Sequence, residues 1–375
     1  MSWRAGDEIE VRQAARPAAR PAARPAARPA AHPAALAAHH NNIGLIRLTL
    51  ASFVIVSHAS LFVYGDFRRD PFGAFGLVDL GTIAVGLFFV ISGWLIAQSW
   101  FGSRGAAEYM AKRVLRLYPA FLVAWGLSLL VARSISDTLP QSPWTALLLA
   151  PPPHLVDGAA SNNAMWTIAY EFRLYLLVAL AGASGLLARR RALTWLTAAS
   201  VILFTFVSLL DWEGLYQVAP VSPAVEMTIG GPLRWLRLSP WFLVGLWGFA
   251  HRQEIERRVT GRVALLALLL LAPIFALIAP LSEPALLILG APILYWLAFK
   301  ARLGPLQRVN GRIDISYGTY LFGWPVQLLL VSAFPGLGWL PQLTIALVLA
   351  WALGWLSWRL IESPALKLKA RLRAD

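Results

Sequence analysis

Long apolar runs follow one another along almost the whole chain after residue 42. We predict that ten of them are membrane-spanning helices, at 43–64, 78–101, 117–135, 166–187, 192–210, 238–250, 263–280, 285–300, 313–333 and 340–361. A run of about 20 apolar residues is long enough to cross the hydrocarbon core of a bilayer as a helix. Only helices and closed barrels satisfy all their backbone hydrogen bonds in lipid. The pattern therefore predicts an all-α membrane protein, a polytopic bundle of about ten transmembrane helices.

The composition excludes most classes of soluble protein. Of the 375 residues, 58% are hydrophobic and 14% are charged, and none is cysteine. A water-soluble domain cannot bury so large an apolar fraction, which excludes a soluble enzyme and a disordered chain. The lack of cysteine excludes a disulfide scaffold and a thiol nucleophile. No cluster of histidines has metal-ligand spacing, so we expect no metal site.

The basic residues predict how the bundle is oriented. If the N-terminus is cytoplasmic, 25 of the 33 Lys and Arg residues lie in inner segments and five lie in outer ones. Basic residues are concentrated in the cytoplasmic loops of membrane proteins. We therefore expect both termini in the cytoplasm. This placement of charge also explains the net charge of +14 without a nucleic-acid partner.

Two terminal segments differ from the membrane part, 43–366. Residues 1–42 are rich in Arg, Pro and Ala and repeat a four-residue unit, RPAA, from Arg16. Proline at every fourth position blocks a continuous helix, so this tail is predicted to be disordered and cytoplasmic. Residues 367–375 form a second, short basic tail.

Few ionisable residues fall inside the predicted spans. Such groups are costly in lipid, and we take five of them as candidate functional residues: Arg47, His58, Glu171, Arg173 and Arg359. Arg359 lies close to Glu362 near the end of the last span, where it can pair with that carboxylate or extend to the interface. Arg173 cannot share a helix face with Glu171, and the sequence does not indicate its partner.

Arg47 and His58 are separated by eleven residues, about three helical turns, and so lie on one helix face about 16 Å apart. If the fourth span begins at the outer edge of the membrane, Glu171 lies at nearly the same depth as His58. An imidazole and a carboxylate at one depth can form a general base with its orienting partner. The alternative for His58 is a structural hydrogen bond between helices.

Arg113 and Arg116 are three residues apart and share a face of any helix that leads into the third span. Two guanidinium groups at the cytoplasmic edge can bind phosphates, or can serve only to fix the topology. Tyr118 and Pro119 follow, and proline is tolerated at a helix start, so we predict that the span begins there.

Six segments occur in a characteristic order along the chain. The first is the Arg-x10-His pattern of Arg47 and His58, and the others are FFVISGWLI (88–96), Arg-x2-Arg with Tyr-Pro (113–119), MWTIAYEFRLYLL (165–177), ISYGTYLFGWPV (315–326) and IESPALK (361–367). Together they resemble the acyltransferase-3 family of integral membrane O-acyltransferases, of the bacterial surface-sugar O-acetylase type. The likeness covers about residues 41–366. Gly323 departs from the pattern, because the family commonly carries a histidine there.

The resemblance implies a multi-pass protein of the bacterial inner membrane that uses acyl-CoA, usually acetyl-CoA, as a co-substrate and a carbohydrate or glycoconjugate hydroxyl as acceptor. His58 would be the general base and Glu171 its partner. The donor would contact Arg47, Arg113, Arg116, Ser92 and Tyr118. The acceptor would contact Trp166, Tyr175, Tyr320 and Trp324. No permanently bound cofactor is expected.

A different class of function also accounts for charged residues buried in a helical bundle. A proton-coupled secondary transporter or flippase needs such groups as well. Carriers often contain two related halves, and the chain shows no internal repeat of its motifs. Release of free CoA from the donor distinguishes the two functions.

Overall fold

A computed structural model of the protein describes residues 41–67, 69–73, 78–135, 143–152, 162–210, 222–311 and 313–371. The predicted N-terminal tail lies outside these ranges except for Asn41 and Asn42. Asn42 is buried, and its side-chain amide donates to the carbonyl oxygens of Leu297 (2.5 Å) and Ala301 (2.9 Å). Asn42 thus belongs to the packed part of the chain.

The described residues form helices and contain no strand. The α-helices are α1 (Ile43–Tyr64), α2 (Leu80–Phe101), α3 (Ala106–Ile135), α4 (Trp166–Ala183), α5 (Arg190–Ser208), α6 (Pro223–Thr228), α7 (Pro232–Ala250), α8 (Arg252–Arg258), α9 (Gly261–Leu277), α10 (Ser282–Phe299), α11 (Ser316–Ala333), α12 (Trp339–Ser357) and α13 (Ser363–Arg371). A π-helical turn, Trp358–Glu362, joins α12 to α13. Short 3-10 turns include Pro143–Leu148, in the stretch between α3 and α4, and Asn163–Met165, just before α4.

A helix occupies each of the ten predicted positions, but not all ten have the character of a membrane span. Seven helical segments are long and apolar enough to cross a membrane, and the number rises to eight if α8 and α9, which meet at 85°, count as one broken span. The remaining two are α7 and α11. The count of ten spans therefore stays a prediction.

Helix α11 does not reach the composition of a lipid-facing span because protein surrounds it. Every residue from Ser316 to Gln327 is buried, and the helix packs against α1, α3 and α12. A helix enclosed by protein can carry hydroxyl and amide side chains that find partners on its neighbours. Hydropathy alone therefore does not identify such a helix as a candidate membrane span.

The prediction that Tyr118 and Pro119 start the third helix is wrong. Helix α3 begins at Ala106, eleven residues before the expected start at residue 117, and Pro119 lies inside it. The polar side chains of its first turns interrupt the apolar run, yet they pair along the helix, as in the 2.6 Å contact between Lys112 and Glu108. Proline within a membrane helix is tolerated where neighbouring groups satisfy the freed carbonyl.

Helix α4 begins inside the bundle rather than at its edge. The Asn162 side chain donates to the Leu321 carbonyl oxygen, in the second turn of α11, and to Ser128 Oγ, both over 3.0 Å. The Tyr320 hydroxyl donates to the Ala164 carbonyl oxygen over 2.6 Å. These bonds hold the start of α4 against the second turn of α11, which determines the depth of every side chain on α4.

Two glycines allow α2 and α7 to touch along their backbones. A β-carbon on Gly93 would collide with the Phe242 carbonyl oxygen, and one on Gly245 would collide with that of Val90. Small residues permit this close approach of membrane helices. The glycine of the SGW segment is thus required for packing, and it sets the position of its neighbour Ser92.

Candidate active site

A cavity of about 820 Å³, its open mouth included, lies between α1, α2, α3, α4 and α11. On α2 its wall extends from Val85 to Ile96, a rise of eleven residues, which is about 16 Å of helix. The helix directions place three guanidinium groups at one end, from Arg47, Arg113 and Arg116. At the other end they place Phe88, Thr167 and Tyr320.

Two of the three guanidinium groups are held by carboxylates. Asp314 Oδ2 accepts from Arg47 Nη1 at 2.5 Å and from Arg116 Nη2 at 2.6 Å. Glu362 Oε2, on the π-helical turn, accepts from Arg116 Nη1 at 3.0 Å. Asp314 Oδ1 accepts further hydrogen bonds from Ser316 Oγ and Asn310 Nδ2, so the carboxylate is held from both sides.

Arg113 is the exception among the three. It forms no ion pair with any described residue, and its buried Nε has no hydrogen-bond partner. Its guanidinium carbon lies 6.0 Å from the centre of the Tyr175 ring. A buried donor without an acceptor is costly, and an anion in the cavity would supply the acceptor.

Glu171 faces the same cavity. Ser92 Oγ donates to Glu171 Oε1 over 2.5 Å, and the Tyr175 hydroxyl donates to the same oxygen in a short hydrogen bond. All three residues line the cavity wall. The carboxylate therefore joins α2 to α4 close to the guanidinium end.

The other end of the cavity carries a pair of hydroxyl groups. Thr167 Oγ and the Tyr320 hydroxyl lie 2.6 Å apart, and the Tyr320 ring meets Phe88 edge-on with 6.1 Å between the ring centres. These side chains form the wall where the cavity ends.

His58 does not line this cavity. Its imidazole packs edge-on against Trp324, with 4.8 Å between ring centres, and lies 6.4 Å from the ring of Phe67. The carboxylate that acts electrostatically on it is Asp79, which also accepts a hydrogen bond from the adjacent Ser57 over 3.0 Å.

The predicted pairing of His58 with Glu171 is not present among the described residues. Ser92, the partner of Glu171, and Asp79, the neighbour of His58, are thirteen residues apart along the chain, about 20 Å of helix. The expectation of a common depth is wrong, because it assumed that the fourth span starts at the membrane edge. Since α4 starts within the bundle, Glu171 lies deeper than that assumption implies.

Besides His58, three other predicted residues lie outside the cavity wall. The Tyr118 hydroxyl donates to the Leu147 carbonyl oxygen over 2.7 Å, and its ring packs on Phe172. Trp166 lies beneath the guanidinium of Arg234 at 5.1 Å, and Trp324 lies against His58. Of the four residues expected to contact acceptor, only Tyr175 and Tyr320 line the cavity.

Two arginines whose roles the sequence left open are placed on aromatic rings. Arg173 lies over Tyr170, 5.0 Å from the ring centre, and Arg359 lies over Trp355 at 5.4 Å. Glu362, one of the two options for Arg359, binds Arg116 instead.

The space of the missing histidine at position 323 is filled. A β-carbon on Gly323 would lie 2.7 Å from the Ile55 side chain, so the Ile55 side chain occupies the place that a larger residue at 323 would need.

Asp314 and Asp79 were not included in the site predicted from the sequence. An available signal for Asp314 was its position directly before the polar ISYG start of α11.

Comparison with known proteins identifies the family. A model of the acyltransferase-3 family, described as an acyltransferase domain, matches residues 40–359. The chain belongs to this family. All the residues that line the cavity, from Arg47 on α1 to Tyr320 on α11, lie within the matched range. The chain is therefore an acyltransferase, and its long apolar helices make it a multi-pass membrane protein.

Three relatives have informative names. The chain is 29% identical over 336 residues to an O-acetyl transferase of Shigella phage Sf6, covering 84% of this chain and 93% of the relative. It is 29% identical over 372 residues to Nodulation protein 10 of Rhizobium leguminosarum bv. viciae, covering 90% and 96%. Over 110 residues it is 29% identical to acyltransferase MdmB of Streptomyces mycarofaciens, covering 27% and 28%. No solved structure matches the chain.

Proposed function

We propose that the protein is a membrane O-acyltransferase that moves an acetyl group from cytoplasmic acetyl-CoA to a hydroxyl of a carbohydrate or glycoconjugate. The observation that carries the proposal is the half-buried Arg113, which forms no ion pair with any described residue and whose buried Nε has no acceptor among them, in a cavity that two further guanidinium groups border. The name of the phage relative supports transfer of acetyl to oxygen.

The donor binds with its phosphates at the guanidinium end. Arg113 supplies uncommitted N–H groups, and Arg47 and Arg116 supply those that Asp314 and Glu362 leave unused. The 16 Å of wall from Ile96 to Val85 is comparable to the reach of an extended pantetheine arm. The thioester of a donor bound in this way lies near Phe88, Thr167 and Tyr320.

His58 acts as the general base on the acceptor side. It lies level with Asp79, six residues before Val85 on α2, which is about 9 Å beyond the end of the cavity wall. Trp324, its ring neighbour, follows Tyr320 by one helical turn on α11. Transfer therefore requires that the Phe88–Tyr320 contact opens, so that the thioester moves on toward His58 and meets there an acceptor hydroxyl that enters from the opposite end.

In the transfer step, the imidazole takes the proton of the acceptor hydroxyl as its oxygen attacks the thioester carbonyl. The carbon–sulfur bond breaks, the acyl ester forms, and CoA leaves as a thiolate that takes the proton back from the imidazolium, which yields the free thiol and the neutral imidazole. Asp79 supplies the negative charge that favours the imidazolium formed in this step. Glu171, distant from His58, holds Ser92 and Tyr175 in the wall of the donor cavity.

The same proposal assigns the orientation in the membrane. The guanidinium end faces the cytoplasm of a bacterium, where acyl-CoA is found, and both termini lie on that side of the inner membrane. The distribution of 25 basic residues on this side and five on the other supports the assignment.

The test measures CoA release by purified protein in nanodiscs, with acetyl-CoA and a de-O-acetylated bacterial surface polysaccharide. Because the chain has no cysteine, a thiol reagent reads free CoA without any signal from the protein. The expected result is acceptor-dependent release of thiol matched by acetyl ester on the polysaccharide. A secondary transporter would release no CoA. Absence of CoA release, together with surface glycans whose mass spectrum does not change when the gene is deleted, contradicts the proposal.

A further inference from the structure

Asp314 connects two arginines that are far apart in the chain. Its Oδ2 accepts from Arg47 on α1 and from Arg116 on α3, at 2.5 and 2.6 Å. Both guanidinium groups line the donor cavity, whereas Asp314 and Glu362 do not. The carboxylates thus lie behind the guanidinium groups as seen from the cavity.

Asp314 is itself held in place. Its Oδ1 accepts from Ser316 Oγ at 2.5 Å, from the Ser316 backbone N–H at 3.3 Å and from Asn310 Nδ2 at 3.1 Å. Asn310 in turn donates to the Gly44 carbonyl oxygen at 2.8 Å, at the start of α1. A carboxylate fixed by so many donors is part of the wall and does not act as a removable plug for the cavity.

The geometry leaves defined donors for a ligand. Among the described residues, Asp314 occupies only Nη1 of Arg47, and Asp314 with Glu362 occupies the two Nη atoms of Arg116. The Nε and Nη2 groups of Arg47 and the Nε of Arg116 stay uncommitted. Without Asp314, two neighbouring positive charges would share no counter-ion and would move apart.

We propose that Asp314 is a positioning residue for donor binding, which holds the guanidinium groups of Arg47 and Arg116 where they meet the phosphates of an acyl-CoA. This inference rests on the proposed function and adds to it a residue outside the motifs of the family resemblance. Asp314 acts through the two arginines and does not touch the donor.

The test is Asp314→Asn, which keeps the size of the side chain and removes its charge. Arg116 keeps its bond to Glu362 in this variant, so the fold is expected to survive. In the CoA-release assay, the KM for acetyl-CoA rises at least tenfold while kcat stays within about twofold. Equilibrium binding of desulfo-CoA, which needs no acceptor, weakens by the same factor.

The matched control is Glu283→Gln. Glu283 accepts from Arg237 Nε at 3.0 Å in a partly buried ion pair outside the cavity, and its loss leaves the KM for the donor unchanged. Asp314→Glu restores part of the donor affinity because it restores the charge. Ser316→Ala removes the hydrogen bond from Ser316 Oγ to Asp314. We expect it to raise the KM for acetyl-CoA less than Asp314→Asn does, and it replaces Asp314→Asn in the test if that variant does not fold.

The two proposals fail in different ways. If the wild-type protein neither binds desulfo-CoA nor releases CoA, the proposed function is wrong. If the wild-type protein does both, and Asp314→Asn or Ser316→Ala lowers the melting temperature with an unchanged KM for the donor, Asp314 has only a structural role and this inference is wrong.

Discussion

The His58 imidazole meets the Trp324 indole edge-on, with 4.8 Å between the ring centres and an angle of 81° between the planes. Tyr320, one turn earlier on α11, forms part of the cavity wall. The same face of α11 therefore connects the end of the donor cavity to the candidate base. Trp324 orients the imidazole on this path.

Trp324→Ala is expected to lower kcat for acyl transfer by at least tenfold, because His58 loses the ring that fixes its orientation. Trp324→Phe keeps an aromatic edge and is expected to retain most of the rate. Steady-state kinetics on both variants in nanodiscs, with the donor KM as an internal reference, measure the difference. Equal kcat values for Trp324→Ala and the wild-type protein contradict the role of the indole.

Arg113→Lys separates charge from guanidinium geometry at the donor end. Lysine keeps the positive charge but loses the planar fork that binds phosphate oxygens in pairs. We expect the KM for acetyl-CoA to rise about tenfold, which corresponds to about 1.4 kcal/mol of donor binding. Arg359→Lys is the control, since Arg359 lies on Trp355 outside the cavity, and its KM should match that of the wild-type protein.

The hydrogen bond from Ser92 to Glu171 predicts a coupling between these residues. A double-mutant cycle with Ser92→Ala and Glu171→Gln, read as donor binding free energy, should show an interaction of about 0.5–3 kcal/mol, the range for groups in one hydrogen-bond network. Ser92→Ala with Arg173→Gln supplies the comparison, because Arg173 lies on Tyr170 and not in this network. Strict additivity in the first cycle would show that the 2.5 Å contact has no role in donor binding.

Restoring the family histidine at position 323 is expected to harm the protein. Its β-carbon would lie 2.7 Å from Ile55, and overpacking of a core by a larger side chain typically costs about 1–3 kcal/mol. Gly323→His should therefore lower the melting temperature in detergent, and a second change, Ile55→Ala, should recover part of the loss. Unchanged melting of Gly323→His would show that α1 and α11 can separate freely here.

The helix positions could be predicted because each depends on local composition. α1 lies at the predicted residues, 43–64, since a single uninterrupted apolar run defines it. α3 extends eleven residues further than expected because Glu108 and Lys112 neutralise each other along the helix, a pairing that hydropathy does not register. Hydropathy likewise does not register that Tyr317, Tyr320 and Gln327 of α11 donate hydrogen bonds to carbonyl oxygens of neighbouring segments.

The placement of side chains on different helices was predicted only in part. Arg47, Arg113 and Arg116 do line one cavity, as their positions at one end of their helices indicated. Their carboxylate could not be found in the same way, because Asp314 lies 267 residues from Arg47 and no local pattern links them. The relative depth of His58 and Glu171 depended on where α4 starts, and bonds from Asn162 and Tyr320, not the apolar run, determine that start.

The central claim, general base catalysis by His58 on a CoA thioester, is tested most directly by His58→Ala. Single-turnover acetyl transfer is followed with saturating acetyl-CoA and de-O-acetylated polysaccharide, with His251→Ala as the control, since His251 stacks on Trp247 away from the cavity. We predict that His58→Ala lowers the rate by about 10²–10⁴-fold, the typical contribution of a general base, while desulfo-CoA binding is unchanged. Transfer by His58→Ala at the wild-type rate would contradict the account.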